Sequence, residues 1–304
     1  MVKDVAVLMG GWSSERDVSL SSGQEIVKAL RQKGYTVTAI DVEKNLPKLI
    51  HQIQEANPQV IFNALHGVGG EDGVIQSVLD MLQVPYTHSG VISSAVAMNK
   101  IMSRKIFHHD GLPVPSWKIV SLEEAKASNP MPFPYVVKPI GEGSSRGVSI
   151  VGSDEDRSKA FEGWTYGDQV LVEKYIPGRE IHVAVVNGKA TGAIEIKPKE
   201  GFYDYRAKYT DGMAEHLMPA PLTDSELNEV LDLSEKAYES LNCRGVARVD
   251  FRLDDTKSPS SFYILELNTQ PGMTPLSLVP EIMAYQGVPF GDLVDQMIQE
   301  AQCD

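Results

Sequence analysis

Short apolar runs alternate with helix-like stretches over the first ninety residues of the chain. Residues 5–9 form a continuous apolar run, which is typical of a strand that is covered on both faces. Further strands are predicted over 36–42 and 60–62, and helices over about 22–33, 46–56 and 74–82. Because right-handed crossovers join strands in such a βαβαβα order, the pattern predicts an open parallel sheet. Ligands bind beyond the carboxyl ends of such strands, which here are Gly10-Gly11 and His66-Gly67.

The rest of the chain has a different pattern, in which strands follow one another more closely. A helical segment over 93–109 precedes strand runs over 117–120, 135–138, 148–151 and 169–175. Asn187-Gly188 separates two further runs, 180–186 and 190–197, and this dipeptide is a strong hairpin signal. Thr223 is placed to cap a long amphipathic helix. The chain is therefore predicted to be α/β, with an α+β C-terminal part.

Two late strand segments, 245–253 and 262–268, carry candidate metal ligands. Alternation turns Arg248, Asp250 and Arg252 to one face of the first segment, and Ala247, Val249, Phe251 and Leu253 to the other. In the second segment it puts Ile264, Glu266 and Asn268 on one face and Tyr263, Leu265 and Leu267 on the other. If the strands pair, Asp250, Glu266 and Asn268 converge, and their hard oxygen atoms suit Mg²⁺. The alternative is a solvated polar strand face.

A glycine-rich turn over 141–147 follows Lys138, and its exposed N–H groups are suited to phosphate oxygens. The alternative is an ordinary turn, because the segment is neither a Walker A sequence nor a GxGxxG. The strand over 169–175 ends near Glu173-Lys174, with Glu180 just past a Pro-Gly turn. The exposed peptide groups and the nearby carboxylate at this strand end are suited to an adenine amino group and ribose hydroxyls. The alternative interpretation is an ordinary strand end with surface charges.

Composition excludes several classes of protein. A length of 304 residues predicts two or three packed units, and a net charge of -13 disfavours nucleic-acid binding. No run of 18 apolar residues is present, so no membrane span is predicted. The N-terminus lacks the features of a secretion signal, and Cys243 and Cys303 form no CxxC motif. These features predict a cytoplasmic protein that binds neither membranes nor nucleic acid.

Six motifs in order identify a family resemblance. The stretches are residues 10–20 (GGWSSERDVSL), 66–73 (HGVGGEDG), 141–147 (GEGSSRG), 202–209 (FYDYRAKY), 248–250 (RVD) and 266–274 (ELNTQPGMT). Over essentially its full length the chain resembles the D-alanine–D-alanine ligases, which belong to the ATP-grasp superfamily. The resemblance implies a three-domain ATP-grasp architecture, with nucleotide bound between two antiparallel-sheet domains. It places the first-substrate side in 1–90, the glycine-rich loop in 91–175, and the metal and second-substrate sites in 176–304.

The resemblance also implies a role for each matching residue. Seven residues match the ATP site, with lysines on the phosphates (Lys100, Lys138 and Lys208) and the others at the adenine and ribose (Glu173, Lys174, Ile176 and Glu180). Asp250, Glu266 and Asn268 match the metal ligands, in agreement with the strand-face argument. Glu15 matches the group that binds the first substrate's ammonium, with His66 nearby. Ser277 and Leu278 match the seat of the second substrate's carboxylate, and Arg248 and the Gly272 N–H face the developing oxyanion.

The implied reaction joins two D-alanine molecules through an acyl phosphate, for peptidoglycan precursor synthesis. It uses ATP and Mg²⁺ or Mn²⁺, with two ions per site, in a homodimeric enzyme. The segment Phe202 to Tyr209 matches the lid that excludes water, and its alternative is a surface Ω-loop. Glu15, Ser144 and Tyr209 match a hydrogen-bonded trio beneath that lid. A tyrosine at 209, where D-alanyl-D-lactate ligases tend to carry phenylalanine, favours an amine acceptor.

Three other functions compete with this interpretation. They are another ATP-grasp carboxylate ligase, including a D-alanyl-D-lactate ligase, a non-catalytic nucleotide-binding protein, and a dinucleotide-binding oxidoreductase. The last requires GxGxxG after the first strand, and Gly10-Gly-Trp-Ser does not supply it. Among the smaller predictions, Glu71-Asp72 begin a helix, and His182 has a packed, hydrogen-bonded role rather than a ligand role.

Overall fold

The computed structural model describes residues 2–199 and 212–304. The predicted lid, with Lys208 and Tyr209, lies outside the described residues. The strands are β1 Asp4–Gly10, β2 Thr36–Val42, β3 Val60–Asn63, β4 Trp117–Ser121, β5 Tyr135–Lys138, β6 Ser149–Val151, β7 Gln169–Lys174, β8 Arg179–Val186, β9 Lys189–Pro198, β10 Ala214–Leu217, β11 Val246–Asp254 and β12 Ser261–Asn268. The helices are α1 Arg16–Gln32, α2 Leu46–Ala56, α3 Val74–Leu82, α4 Val91–Met98, α5 Lys100–His109, α6 Leu122–Ala127, α7 Asp154–Ala160, α8 Asp224–Ser240, α9 Leu278–Tyr285 and α10 Phe290–Gln299.

The N-terminal strands form the predicted parallel sheet, in the order β2-β1-β3. Its strands are covered on both faces, which explains their continuous apolar runs. Val5 and Val7 pack into a core shared with α1 and the C-terminal helices, whereas Ala6 and Leu8 pack into a core shared with α2 and α3. The last helix of the chain thus helps to cover the first sheet.

Helix α1 begins at Arg16, earlier than the predicted start near Ser22. Its first turns bury Ser19 and Ser22 beside the single apolar residue Val18, so the hydrophobic period is weak there. Ser19 Oγ accepts a hydrogen bond from the Gly10 N–H at 2.8 Å and donates one to the Ala64 carbonyl at 2.7 Å. These bonds satisfy backbone groups at the carboxyl ends of β1 and β3, which explains why hydroxyls are buried here.

The segment predicted as one helix over 93–109 is two helices that meet at Asn99. The Asn99 side chain accepts hydrogen bonds from the N–H groups of Ile101 and Met102 and so caps α5. Lys100 becomes the first residue of α5, and its side chain is buried beneath the glycine-rich turn.

The other described strands form two antiparallel sheets, in the orders β4-β7-β5-β6 and β10-β9-β8-β11-β12. Together with the parallel sheet they confirm the predicted fold class. The Asn187-Gly188 hairpin is confirmed, since both residues have positive φ and β8 pairs with β9. Thr223 caps α8 in a capping box with Glu226, also as predicted.

Strands β11 and β12 pair as predicted, but the alternation in β12 is interrupted. Asp250 lies opposite Glu266, whereas the next residue, Phe251, lies opposite Ile264, so Leu265 is an extra residue in the ladder. The prediction that Ile264 shares a face with Glu266 and Asn268 is therefore wrong. Ile264 is fully buried in the core that also contains Leu267. The bulge keeps Glu266 and Asn268 on the polar face and lets the preceding part of β12 fill the core.

Candidate active site

Two clefts lie beside β11 and β12. The first, the N-side cleft, has an empty volume of about 900 Å³ and is lined by Glu15, His66, Ser144, Arg248, Asn268, Gly272, Ser277 and Leu278. The second, the inter-sheet cleft, has about 860 Å³ and lies between the two antiparallel sheets, lined by Lys138, Glu173, Lys174, Ile176, Glu180 and Asp250. Lys100 and Glu266 line both clefts. Ligands in the two clefts can therefore meet at these two side chains.

Glu15 is a buried carboxylate at the start of α1. Ser144 of the glycine-rich turn donates a hydrogen bond to Glu15 Oε2 at 2.6 Å. The turn also reaches the N-terminal unit through Arg146, which donates to the Ser14 carbonyl at 2.9 Å. A Cβ at Gly143 would lie 2.5 Å from Glu15 Oε1, so this position favours glycine. A buried carboxylate at a helix start, open to the N-side cleft, is suited to an ammonium group.

His66 is buried at the end of the segment that follows β3. Its Nδ1 lies 2.9 Å from Glu71 Oε1, and its Nε2 lies 3.3 Å from Ser22 Oγ. Burial opposes protonation, but Glu71 outweighs it and raises the pKa of the imidazole above its ordinary value. Asp72 accepts a hydrogen bond from the Val74 N–H, as expected beside a helix start. Glu71 instead turns towards His66, a role that the sequence did not reveal.

Ser277 and Gly272 lie together at the start of α9. Ser277 Oγ accepts a hydrogen bond from the Thr274 N–H at 2.9 Å, and a Cβ at Gly272 would lie 2.8 Å from this oxygen. Leu278 is the first residue of α9, so free N–H groups of the helix start face the N-side cleft here. This end of the cleft is suited to a carboxylate.

Asp250 is held between Arg248 and His182. Arg248 donates to both of its oxygens, at 2.6 and 2.9 Å, and His182 Nδ1 lies 2.7 Å from Oδ1. Burial raises the carboxyl pKa, but Arg248 and His182 outweigh it, so the pKa of Asp250 lies well below its usual range. His182 is packed and hydrogen-bonded, as expected, and its Nε2 lies 3.3 Å from Glu180 Oε1.

Three oxygen-bearing side chains near Asp250 could hold a divalent cation. Asp250 lies opposite Glu266 in the strand register, and Arg248 lies opposite Asn268, so the three oxygen-bearing side chains are neighbours on one face. Among the described residues, no group of three or more His, Cys, Asp and Glu side chains could hold an ion. The Asn268 amide oxygen is a further oxygen donor beside the two carboxylates on this face. Two carboxylates and an amide oxygen fit Mg²⁺ or Mn²⁺ if nucleotide phosphates or waters complete the shell.

The inter-sheet cleft contains a buried ion triad that the sequence revealed only in part. Glu173 accepts from Lys138 at Oε1 and from Arg104 at Oε2. Burial raises the carboxyl pKa, but the two cations outweigh it and lower the pKa of Glu173. The side chain of Glu173, predicted for the adenine pocket, is thus committed to an ion pair at the cleft wall. Arg104 was missed, although its position four residues after Lys100 on α5 puts both on the same helix face.

Most of the predicted residues meet at these two clefts. Lys100 Nζ donates to the Glu142 carbonyl at 2.6 Å and lies 3.4 Å from Glu266 Oε2, which joins the glycine-rich turn to β12. Lys208 and Tyr209 lie outside the described residues. Sequence reasoning also missed Gln270, which donates to the Leu65 carbonyl and accepts from Asn63 Nδ2 at 2.8 Å. These bonds join the polypeptide after β12 to the carboxyl end of β3.

Within the described residues, no helix has the length and apolar character required to cross a bilayer.

Family profiles described as "D-ala D-ala ligase N-terminus" match residues 4–57 and 45–89, and one described as "D-ala D-ala ligase C-terminus" matches residues 106–299.

The chain is 48% identical to a D-alanine–D-alanine ligase from Paramagnetospirillum magneticum over 307 residues, which covers 100% of both chains. A crystal structure of a D-alanine–D-alanine ligase from Bacillus anthracis matches with a TM-score of 0.85 at 34% identity, covering 98% of this chain and 97% of that one. The Bacillus anthracis ligase complexed with ATP matches with a TM-score of 0.81 at 33% identity, covering 99% and 97%. The profiles, sequence relatives and solved structures agree that the chain belongs to the D-alanine–D-alanine ligase family.

Proposed function

We propose that the protein joins two D-alanine molecules into D-alanyl-D-alanine, with ATP converted to ADP and phosphate. The observation that carries this proposal is the meeting of the two clefts at Lys100 and Glu266. A carboxylate substrate in the N-side cleft and a triphosphate in the inter-sheet cleft would meet there. Residues 1–90 are proposed to bind the first substrate, and residues 91–175 to supply the glycine-rich loop at the nucleotide. Residues 176–304 are proposed to hold the metal and second-substrate sites.

In the first step, the D-alanine ammonium binds Glu15, near His66, and the D-alanine carboxylate points towards Lys100. An oxygen of this carboxylate attacks the γ-phosphorus of ATP, the bond to the bridging oxygen breaks, and ADP leaves. Lys100 and Lys138 offset the negative charge that makes two anions repel each other. Glu180, Lys174 and Ile176 line the region proposed for the ribose and adenine. Lys208 is also proposed to bind the ATP phosphates, and Tyr209 to join Glu15 and Ser144 beneath the proposed lid. Both residues, and the lid, lie outside the described residues.

In the second step, the amine of another D-alanine attacks the carbonyl carbon of the acyl phosphate, and phosphate leaves. The carboxylate of this D-alanine is proposed to bind at Ser277 and Leu278, where α9 begins. Arg248 and the Gly272 N–H face the oxygen that becomes negative in the tetrahedral intermediate. Removing such a donor typically reduces the rate by about a hundredfold or more. Ser144, bonded to Glu15, keeps the glycine-rich turn over the first substrate.

Asp250, Glu266 and Asn268 are proposed to hold Mg²⁺ or Mn²⁺, as two ions. When bound, the ions neutralise charge on the transferring phosphoryl group and orient it. Both oxygens of Asp250 accept from Arg248, and each carboxylate oxygen has a second lone pair that a cation could use. Arg248 also lines the N-side cleft, where it is proposed to face the oxyanion.

We further propose a cytoplasmic homodimer that serves peptidoglycan precursor synthesis. An exposed apolar surface formed by Val74, Met81 and Ile92 is suited to a second copy of the chain. Met81 is 86% exposed and Ile92 75% exposed, and Val74 shares a face of α3 with Met81. A Met81→Glu variant is expected to shift the mass measured by light scattering from dimer to monomer. An unchanged mass would reject this surface as the interface.

The function is tested by measuring phosphate release and dipeptide formation with ATP, Mg²⁺ and alanine. With D-alanine we expect phosphate and D-alanyl-D-alanine in equal amounts, and with L-alanine we expect neither. A parallel reaction with D-lactate as the acceptor tests for depsipeptide formation. No phosphate release at millimolar D-alanine would reject the ligase, and preferential depsipeptide formation would favour the lactate ligase.

A further inference from the structure

Arg104 is a buried cation that neither cleft exposes. Its side chain is 1% exposed, that of Glu173 is 2% exposed, and that of Lys138 is 10% exposed. The three charges therefore run from the interior towards the inter-sheet cleft, with Arg104 innermost and Lys138 at the wall. Arg104 contacts Glu173 Oε2, and its other terminal nitrogen donates to the Ile264 carbonyl at 3.4 Å.

The charge on the cleft wall depends on the innermost member of this triad. Lys138 and Glu173 alone would form a neutral pair, and a neutral pair attracts phosphate weakly. With Arg104 the triad has one net positive charge, since two cations share one carboxylate. At the low effective dielectric of a buried site, this difference strongly affects the potential at the cleft. A buried carboxylate deprived of one partner would also compete with phosphate for Lys138.

We propose that Arg104 is a positioning residue for nucleotide binding, which neutralises Glu173 so that Lys138 can bind a phosphate group of the nucleotide. This proposal rests on the proposed function, because it requires the inter-sheet cleft to bind ATP. Lys100 and Arg104, one helical turn apart on α5, then serve the same phosphates in different ways. Lys100 lines the cleft. Arg104 acts indirectly, because it contacts Glu173 and Glu173 in turn contacts Lys138.

The direct test compares ADP with adenosine, because only ADP carries the phosphates that Lys138 would bind. Calorimetry on the full-length protein measures both dissociation constants for the wild type, Arg104→Met and Arg104→Lys. We expect Arg104→Met to weaken ADP binding by about tenfold or more, the size typical of a lost charged contact. Adenosine binding is expected to stay unchanged, and Arg104→Lys is expected to restore most of the ADP affinity. Equal losses for ADP and adenosine, or no loss for ADP, would overturn the proposal.

The double variant Arg104→Met/Glu173→Gln tests the charge count itself. It removes one buried positive and one buried negative charge. The site then again has one net positive charge, which is that of Lys138. We expect its ADP affinity to return close to that of the wild type. This variant does not bury an unpaired carboxylate, so it provides the test even if Arg104→Met does not fold. A double variant that fails to fold, or that binds ADP as weakly as Arg104→Met, would overturn the proposal.

Arg179 offers a matched control on the neighbouring sheet. It donates to the buried carboxylate of Glu195 from two nitrogens and lines neither cleft. Arg179→Met is expected to lower the thermal midpoint without changing the ratio of ADP to adenosine affinity. If it changed this ratio as Arg104→Met does, the loss would reflect general destabilisation and the proposal would be wrong. Wild-type protein that does not bind ADP would instead reject the proposed function.

Discussion

At the scale of single residues, the site is built from carboxylates whose partners are already in position. Glu15 accepts from Ser144, Asp250 from Arg248 and His182, and Glu173 from Lys138 and Arg104. Each is buried, so an absent partner would leave a costly unpaired charge. The partners therefore hold each carboxylate in one orientation before substrate binds.

Gly143 tests how closely the glycine-rich turn must approach Glu15. In Gly143→Ala the new Cβ would lie 2.5 Å from Glu15 Oε1, so either the turn or the carboxylate has to move. We expect the KM for D-alanine at the first site to rise by about tenfold, as for a lost charged contact. Steady-state kinetics measures this change.

Gly141→Ala is the control, because no atom of the described residues lies within 4 Å of a Cβ at Gly141. Its KM for D-alanine is expected to match that of the wild type. If the two alanine variants behaved alike, the contact between the turn and Glu15 would be irrelevant to substrate binding.

His88 makes stability depend on pH. Burial lowers its pKa from 6.5 to about 3, so the folded protein keeps the imidazole neutral. The unfolded chain binds a proton as the pH falls through 6.5, and the folded chain does not, so stability is lost on acidification. Between pH 7 and pH 5 the loss from this group is about 2 kcal/mol.

The comparison uses His88→Asn, since asparagine tolerates the φ of 71° found at this position. The variant is expected to lose less thermal stability than the wild type when the pH changes from 7 to 5. Differential scanning calorimetry at the two pH values measures this difference. Equal losses in the two proteins would contradict the assignment of a neutral, buried His88.

At this scale the sequence singled out residues whose type and spacing differ from their surroundings. Asp250, Glu266 and Asn268 stand out because polar side chains alternate with apolar ones in a strand, and their role as metal ligands stays a prediction. The contacts of Arg104 and Glu71 were not predicted, because a charged residue on a helix or in a loop is normally exposed. The role of Arg104 depends on Glu173, which is distant in the sequence. The role of Glu71 depends on His66, which a reversal of the chain brings beside it.

At the scale of elements, local capping and register position the site. Asn99 ends α4, caps α5 and so fixes where Lys100 enters the junction of the clefts. The extra residue at Leu265 keeps Glu266 and Asn268 beside Asp250 and Arg248. The apolar runs predicted most strands, because burial of both faces produces continuous hydrophobic segments. They did not predict the bulge or the break at Asn99, since both depend on backbone hydrogen bonds rather than on hydrophobic period.

The capping box of α8 offers a test that is separate from the site. Thr223→Ala removes the hydroxyl that accepts from the Glu226 N–H at 3.3 Å and leaves an unsatisfied helix end. We expect a loss of about 1 kcal/mol and a fall of about 2 °C in the thermal midpoint.

Thr223→Ser keeps the hydroxyl and is expected to retain the wild-type midpoint. Ligase activity at 25 °C is expected to be unchanged in both variants, because Thr223 lines neither cleft. A fall in activity without a fall in the midpoint would contradict a purely structural role.

At the scale of the whole molecule, the three sheets formed by residues 2–199 and 212–304 lie around the N-side and inter-sheet clefts. The parallel sheet carries Glu15 and His66 next to its strand ends, and the two antiparallel sheets enclose the inter-sheet cleft. Gln270 and Asn63 join the end of β12 to the end of β3, and α10 covers the first sheet. The family resemblance predicted this arrangement, whereas hydrophobic period alone predicted only the separate sheets.

The central claim is that the carboxylate of one D-alanine attacks the γ-phosphate of ATP and forms an acyl phosphate, as the meeting of the two clefts at Lys100 and Glu266 would allow. D-Alanine labelled with ¹⁸O in its carboxylate tests this claim, with mass spectrometry of the released phosphate. An acyl phosphate leaves its bridging oxygen on phosphorus when the second amine attacks, so one labelled oxygen is expected in each phosphate. Phosphate without the label, released as dipeptide forms, would contradict the account.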